Sequence, residues 1–183
     1  VDVAEPNVEE AKKLVEQAKS EGWDGEIEYS HLADPISQKA AVTVKALLET
    51  AGFKVKLDPQ ANIADQTTKV FVDNTFEPAV GAVSVGAADP YAGLAGPLQP
   101  ESTSNASGYK SAEMGAALTE LAAASGPEDG KAAMTKIEEL WQKDLPGINM
   151  ADGGFMLRLD GTVHGIQPTT QMMTLYDKAW ISK

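Results

Sequence analysis

Residues 26–57 read EIEYSHLADPISQKAAVTVKALLETAGFKVKL, and the order of patterns inside this stretch decides the fold. Glu26 to Leu32 alternate, with Ile27, Tyr29 and His31 on one face, which is the period of a short strand. Asp34-Pro35 then marks a helix start: Asp is a good N-cap, and Pro fits the first helical position, where no backbone N–H is needed. Ile36, Ala40, Val44, Leu47 and Leu48 follow at helical spacing and are expected to form the buried stripe, with Gly52 ending the helix. Phe53, Val55 and Leu57 alternate with Lys54 and Lys56, a second strand. Strand, helix, strand is the arrangement of a parallel pair joined by a helical crossover.

The pattern extends in both directions. Upstream, Asn7 and Glu10 have capping-box spacing, and Val8, Ala11, Leu14, Val15 and Ala18 predict an amphipathic helix over 8–21, closed by Gly22. Downstream, a weaker helix is expected over 62–75. Ala79 to Val85 is a continuous run of small apolar residues, as in a strand buried on both faces. The fold class is therefore α/β, a parallel-rich sheet flanked by helices.

Beyond that the rhythm breaks. Residues 86–109 are rich in Gly, Pro, Ser and Asn and read as a long loop, a length that is often functional. A helix starting near Ser111 carries Met114, Leu118 and Leu121 inward. Another over 128–144 carries Met134, Ile137, Leu140 and Trp141. In the tail, Phe155, Leu157 and Leu159 alternate into an Asp160-Gly161 turn with Val163 beyond it, a hairpin signal. Without an internal repeat or a linker, residues 1–183 read as one domain.

Composition limits the function classes. The formal net charge is −12, and Arg158 is the single arginine among 15 basic residues. Nucleic-acid affinity comes from Lys and Arg neutralising phosphates, so no nucleic-acid partner is expected. The chain has no cysteine, which excludes thiolate chemistry and disulfides. No apolar run approaches the roughly 20 residues of a membrane-spanning helix. The sequence opens at Val1 without a charged-then-apolar leader, so localisation is not read from a targeting segment.

Catalytic constellations are equally scarce. The two histidines, His31 and His164, have no companion at metal-ligand spacing. No Gly-x-Ser-x-Gly elbow, phosphate loop or dinucleotide fingerprint follows a strand. The expectation is a binding protein with no cofactor and no metal, not an enzyme. In open parallel sheets ligands sit at the carboxyl ends of strands. Those positions hold His31, with Ser30 and Asp34 nearby, and then Ser84, Gly86, Asp89 and Tyr91, with Tyr109 closing the long loop. His31, Ser84, Gly86, Asp89, Tyr91 and Tyr109 are the candidate ligand-binding residues. Each also has a plainer reading. Asp34 and Asp89 can serve as caps or turn starters, Gly86 as a tight turn, and the tyrosines as packing under the loop. Asn105-Ala106-Ser107 matches a glycosylation triplet.

Several segments together resemble the C-terminal half of the family 5 extracytoplasmic solute-binding proteins, the peptide-binding subunits of ABC importers. The run EPNVEEAKKLV from Glu5, followed by Gly22-Trp23, is similar to the family's first helix of this region. ALLETAGFKVKL from Ala46 resembles its helix-to-strand unit. Ala88-Asp89-Pro90-Tyr91, the run NASGYKSAEM from Asn105, and Lys143-Asp-Leu-Pro-Gly-Ile148 follow in the family's order. The resemblance implies a periplasmic-binding-protein-like (type II) lobe, incomplete without an N-terminal partner lobe. It implies an extracytoplasmic receptor that closes on a peptide or related small solute and presents it to a membrane permease. It also exposes departures. Val83 and Val85 stand where the family carries tryptophans, and Gly86 stands where dipeptide-binding relatives place an Asp. No Arg lies near the end of the first strand. Losing both charge partners implies a longer peptide held by backbone bonds, or an uncharged solute. An α/β enzyme domain acting on a small molecule is the alternative, and a stand-alone interaction module the third class.

Overall fold

A computed structural model describes residues 5–86, 88–150, 156–169 and 173–182. The chain divides into two compact units, Val1–Ala82 and Val83–Lys183, each described by itself.

The first unit opens with helix α1 (Val8–Ser20), where the Asn7 side chain accepts the Glu10 N–H at 3.0 Å. Strand β1 (Glu26–Leu32), helix α2 (Pro35–Thr50) and strand β2 (Lys54–Gln60) follow. β1 and β2 pair in parallel, from Glu26 opposite Lys54 to Leu32 opposite Gln60. Asp34 caps α2 as expected, accepting from the N–H groups of Ile36 and Ser37 at 3.0 and 3.1 Å. Tyr29, Ala41 and Val55 are the buried centre of the contact between α2 and the sheet, with Val44, Leu48 and Leu57 around them. On the other sheet face Glu28 pairs with Lys56 at 2.9 Å and Lys69 at 3.0 Å, and Lys69 also reaches Asp58 at 2.6 Å. Lys69 comes from the segment after β2, where a short helix α3 (Ile63–Thr67) runs into a π-helical turn, Thr68–Val72.

Two expectations for this unit are corrected. The stripe of α2 that packs on the sheet is Ala41, Val44 and Leu48, while Ile36, Ala40 and Leu47 are exposed. Periodicity located the apolar arc of the helix but not which half of it the sheet covers. The strand expected over Ala79–Val85 is reduced to one parallel bridge, Ala79 to Ser30, held by Ser30 N–H to Pro78 O and Val80 N–H to Ser30 O, both 3.0 Å. Residues 81–85 are exposed and form no ladder. Ala79, Gly81 and Ala82 have too little side chain to hold a strand by packing.

In the second unit the region read as a long loop contains helix α4 (Pro90–Leu98). Asp89 caps it through the Ala92 N–H at 3.2 Å, and Pro90 takes the first helical position. Its Leu94 and Leu98 are buried with Met114, Ala117, Leu118 and Leu121 of α5 (Ala112–Ala123) and Ala133 and Ile137 of α6 (Pro127–Asp144). Met134, Leu140 and Trp141 pack against this core as the spacing predicted. Helix α6 ends at Leu145 in the left-handed region, φ 48°, and the Trp141 indole donates to Gly147 O at 2.7 Å. The run after Lys143 leads into no strand among the described residues.

The hairpin expected around Asp160-Gly161 does not form among the described residues, and Phe155 lies outside them. Asp160 instead accepts from the N–H and hydroxyl of Thr162, at 3.0 and 2.7 Å. Strand β3 (Val163–His164) pairs antiparallel with β6 (Trp180–Ile181), and β4 (Gln167–Pro168) with β5 (Thr174–Leu175). The His164 and Trp180 rings stack with centroids 4.2 Å apart.

Candidate functional site

The six candidate residues divide between the units: His31 belongs to the first, and Ser84, Gly86, Asp89, Tyr91 and Tyr109 to the second. His31 and Ser30 sit at the carboxyl end of β1 and are 3% and 1% exposed, the buried polar residues of the described chain. The His31 ring lies 6.1 Å from the Tyr29 ring, and its Nδ1 meets Leu32 O at 2.8 Å. A carbonyl only accepts, so Nδ1 is the donor in this contact. Neither Nε2 nor the Ser30 hydroxyl has a hydrogen-bond partner among the described residues. Such groups cost about 1–3 kcal/mol each when left unmatched, which makes this strand end an energetically open position.

The second unit builds a tight turn from its candidates. Gly86 and Asp89 form an antiparallel bridge, with Asp89 N–H donating to Gly86 O at 3.2 Å, and Asp89 then caps α4. Ser84 is exposed, and its carbonyl lies against Gly93, where an added Cβ would fall 1.9 Å from Ser84 O. Gly93 is the positioning residue that the sequence reading missed. The sequence carried no signal for it, because the segment read as a loop and a glycine in a loop needs no packing reason. Tyr91 and Tyr109 are half-buried and pack on the α4–α5–α6 core. The Tyr109 hydroxyl donates to Asp144 at 2.6 Å, and burial, then the Asp144 carboxylate, holds its phenol above the ordinary tyrosine value. The Asn105 amide of the glycosylation triplet is already engaged, donating to Tyr109 O at 2.6 Å.

An open recess of about 680 Å³ lies at the opposite, amino end of β1, lined by Trp23, Asp24, Glu26, Glu28, Phe76 and Glu77 among others. Three of its acidic groups have structural duties. Asp24 accepts the Glu26 N–H, Glu77 accepts the Glu28 N–H, and Glu28 holds two lysines. The Lys56 ammonium and then the Lys69 ammonium hold the Glu28 carboxyl below the usual glutamate range. No group of three or more metal-binding side chains occurs among the described residues. No helix among them is long and apolar enough to cross a membrane.

The chain superposes over 98% of its length on the pheromone receptor PrgZ, whose mode of peptide binding is known from its structure, with a TM-score of 0.78 and 18% identity. The chain has the fold of one part of the peptide-binding receptors. It also matches over its full length the substrate-binding domain of an oligopeptide ABC transporter from Bacillus anthracis, at TM-score 0.72 and 16% identity. Over 80% of its length it matches the periplasmic binding protein DppA of Helicobacter pylori, solved in complex with peptide STSA, at TM-score 0.66 and 23% identity. The chain spans only 35%, 36% and 29% of these three proteins. No protein-family model and no curated protein matches the sequence.

Proposed function

We propose that this chain is the C-terminal lobe of an extracytoplasmic peptide-binding receptor of an ABC importer. The observation that carries the reading is the superposition of its whole length on about a third of such receptors. The remaining receptor chain supplies the other lobe, and a peptide in the cleft stabilises the closed population through contacts with both. The positions this reading assigns to the ligand are His31 in the first unit and, separately, Ser84, Gly86, Asp89, Tyr91 and Tyr109 in the second. The exposed Ser84 suits a polar contact with a peptide. Gly86 brings no carboxylate to meet a ligand ammonium, which favours longer peptides recognised through their backbone over free dipeptides. The closed receptor then delivers its peptide to a membrane permease.

The test is a thermal-shift survey of tri- to hexapeptides against the chain alone and the chain extended to receptor length. A peptide-dependent rise confined to the extended protein supports the reading. An equal rise with the chain alone would show that this lobe binds unaided and overturn the shared cleft.

A further inference from the structure

The triplet Asn105-Ala106-Ser107 lies in the segment that joins α4 to α5, and its polar groups are engaged inside that segment. The half-buried Asn105 amide has two N–H donors. It donates to Tyr109 O at 2.6 Å and to the O of Gln99, the C-cap of α4, at 3.4 Å, so one side chain ties the two ends of the segment together. The Ser107 hydroxyl donates to Asn105 Oδ1 at 3.1 Å and accepts the Tyr109 N–H at 3.3 Å. Between them the Gly108 N–H donates to Asn105 O at 3.2 Å, with a φ of 66° that glycine adopts without strain. Tyr109 is thus held at its carbonyl by Asn105 and at its N–H by Ser107. Its hydroxyl is held by Asp144, the last residue of α6, at 2.6 Å, and its ring packs on the helical core.

We propose that Asn105 and Ser107 are positioning residues that set Tyr109 for the peptide, so that the triplet serves as a backbone clamp and not as a glycan acceptor. The inference rests on the receptor reading, which assigns Tyr109 to the ligand. The nitrogen to which a glycan would be attached is the one that donates to both carbonyls, so attachment in the folded chain would break the closure of the segment. A ligand contact fixed in advance loses little freedom on binding, which raises affinity without adding a contact. Asn105 and Ser107 act on the Tyr109 backbone, whereas Asp144 acts on the phenol. Losing the backbone anchors lets the ring move off Asp144, and the phenol registers the move. Burial first, then the bond to Asp144, with Glu113 adding a smaller repulsion and Ser111 opposing, holds it above the ordinary tyrosine value.

The test places Asn105→Ala, Ser107→Ala and Ser107→Thr in the chain alone and in the chain extended to receptor length, at a temperature where each is folded. The Tyr109 phenol is titrated by near-ultraviolet absorbance, separated from the other tyrosines by difference against Tyr109→Phe in the same background. A hexapeptide is titrated calorimetrically into the extended receptor. Asn105→Ala brings the phenol down towards the ordinary tyrosine value in both proteins and weakens hexapeptide binding by about threefold or more. Ser107→Ala moves both readouts less and in the same direction, and it decides the outcome if Asn105→Ala does not fold. Ser107→Thr keeps the hydroxyl and stays near wild type. A phenol that does not move shows that the clamp does not hold Tyr109. A phenol that moves while hexapeptide affinity stays unchanged makes the clamp a stability device alone. Either result overturns the proposal. Wild-type extended receptor that binds no hexapeptide overturns the receptor reading and the ligand role with it, while the phenol shift still separates a working clamp from a failed one.

Discussion

Gly93 and Glu28 show how single residues set the geometry on which the candidate positions depend. At Gly93 the neighbour is backbone, the Ser84 carbonyl, so it cannot swing aside as a side-chain tip would. Gly93→Ala gains about 1 kcal/mol of helix propensity but forces the 84–86 segment away from α4. A net loss of about 1–3 kcal/mol in denaturant unfolding is expected; a more stable variant would show that the close approach is not real. Glu28 gives a pH signature. Its folded carboxyl titrates below the unfolded value because Lys56 and Lys69 favour the charged form. The stability it contributes is present above the ordinary glutamate range and is lost as pH falls through the depressed folded value. Glu28→Gln should therefore lower the melting temperature at pH 7, with the gap from wild type closing towards pH 3 and shrinking in high salt. A gap that stays constant across this range would assign the loss to packing.

At the scale of elements, the α4–α5–α6 core is held by apolar contact. Leu118 is fully buried at its centre, so Leu118→Ala should cost about 2–5 kcal/mol in chemical denaturation. A change under 1 kcal/mol would mean that the three helices do not share a core. The elements also differ in how legible they were. β1, α2 and β2 could be read because their signals are local: alternation, an Asp34-Pro35 start and a Gly52 stop. Helix α4 could not, since Gly93, Gly96 and Pro97 oppose helix propensity. Its Asp89 cap and the burial of Leu94 and Leu98 decide in its favour. The run after Ala79 failed in the other direction, having strand-like composition without the side-chain area to hold a ladder. Asp160-Gly161 carried a turn signal that local Asp160–Thr162 bonding uses without pairing the flanking chain.

For the whole molecule, the fold class and the likeness to solute-binding receptors were both legible, because the order of segments survives where identity has fallen to 14–23%. Of the candidate residues, His31 was legible as the end of β1 and Asp89 as a cap or turn starter, whereas Ser84 and Gly86, read as a strand end, follow no strand. Other roles were not: the Gly86–Asp89 bridge, the Tyr109 donation to Asp144 and the burial of the His31 ring come from how the chain packs. Charge reasoning gives the sharpest functional statement. On the proposed receptor reading, Gly86 offers no carboxylate and no arginine lies near the end of β1, so neither position supplies a charge partner for a terminus of a short peptide. The measurement that tests the account most directly is a calorimetric titration of the chain extended to receptor length with a dipeptide and with a hexapeptide. The account predicts clear binding of the hexapeptide and weak or no binding of the dipeptide. Tight dipeptide binding, or no heat with either, would contradict it.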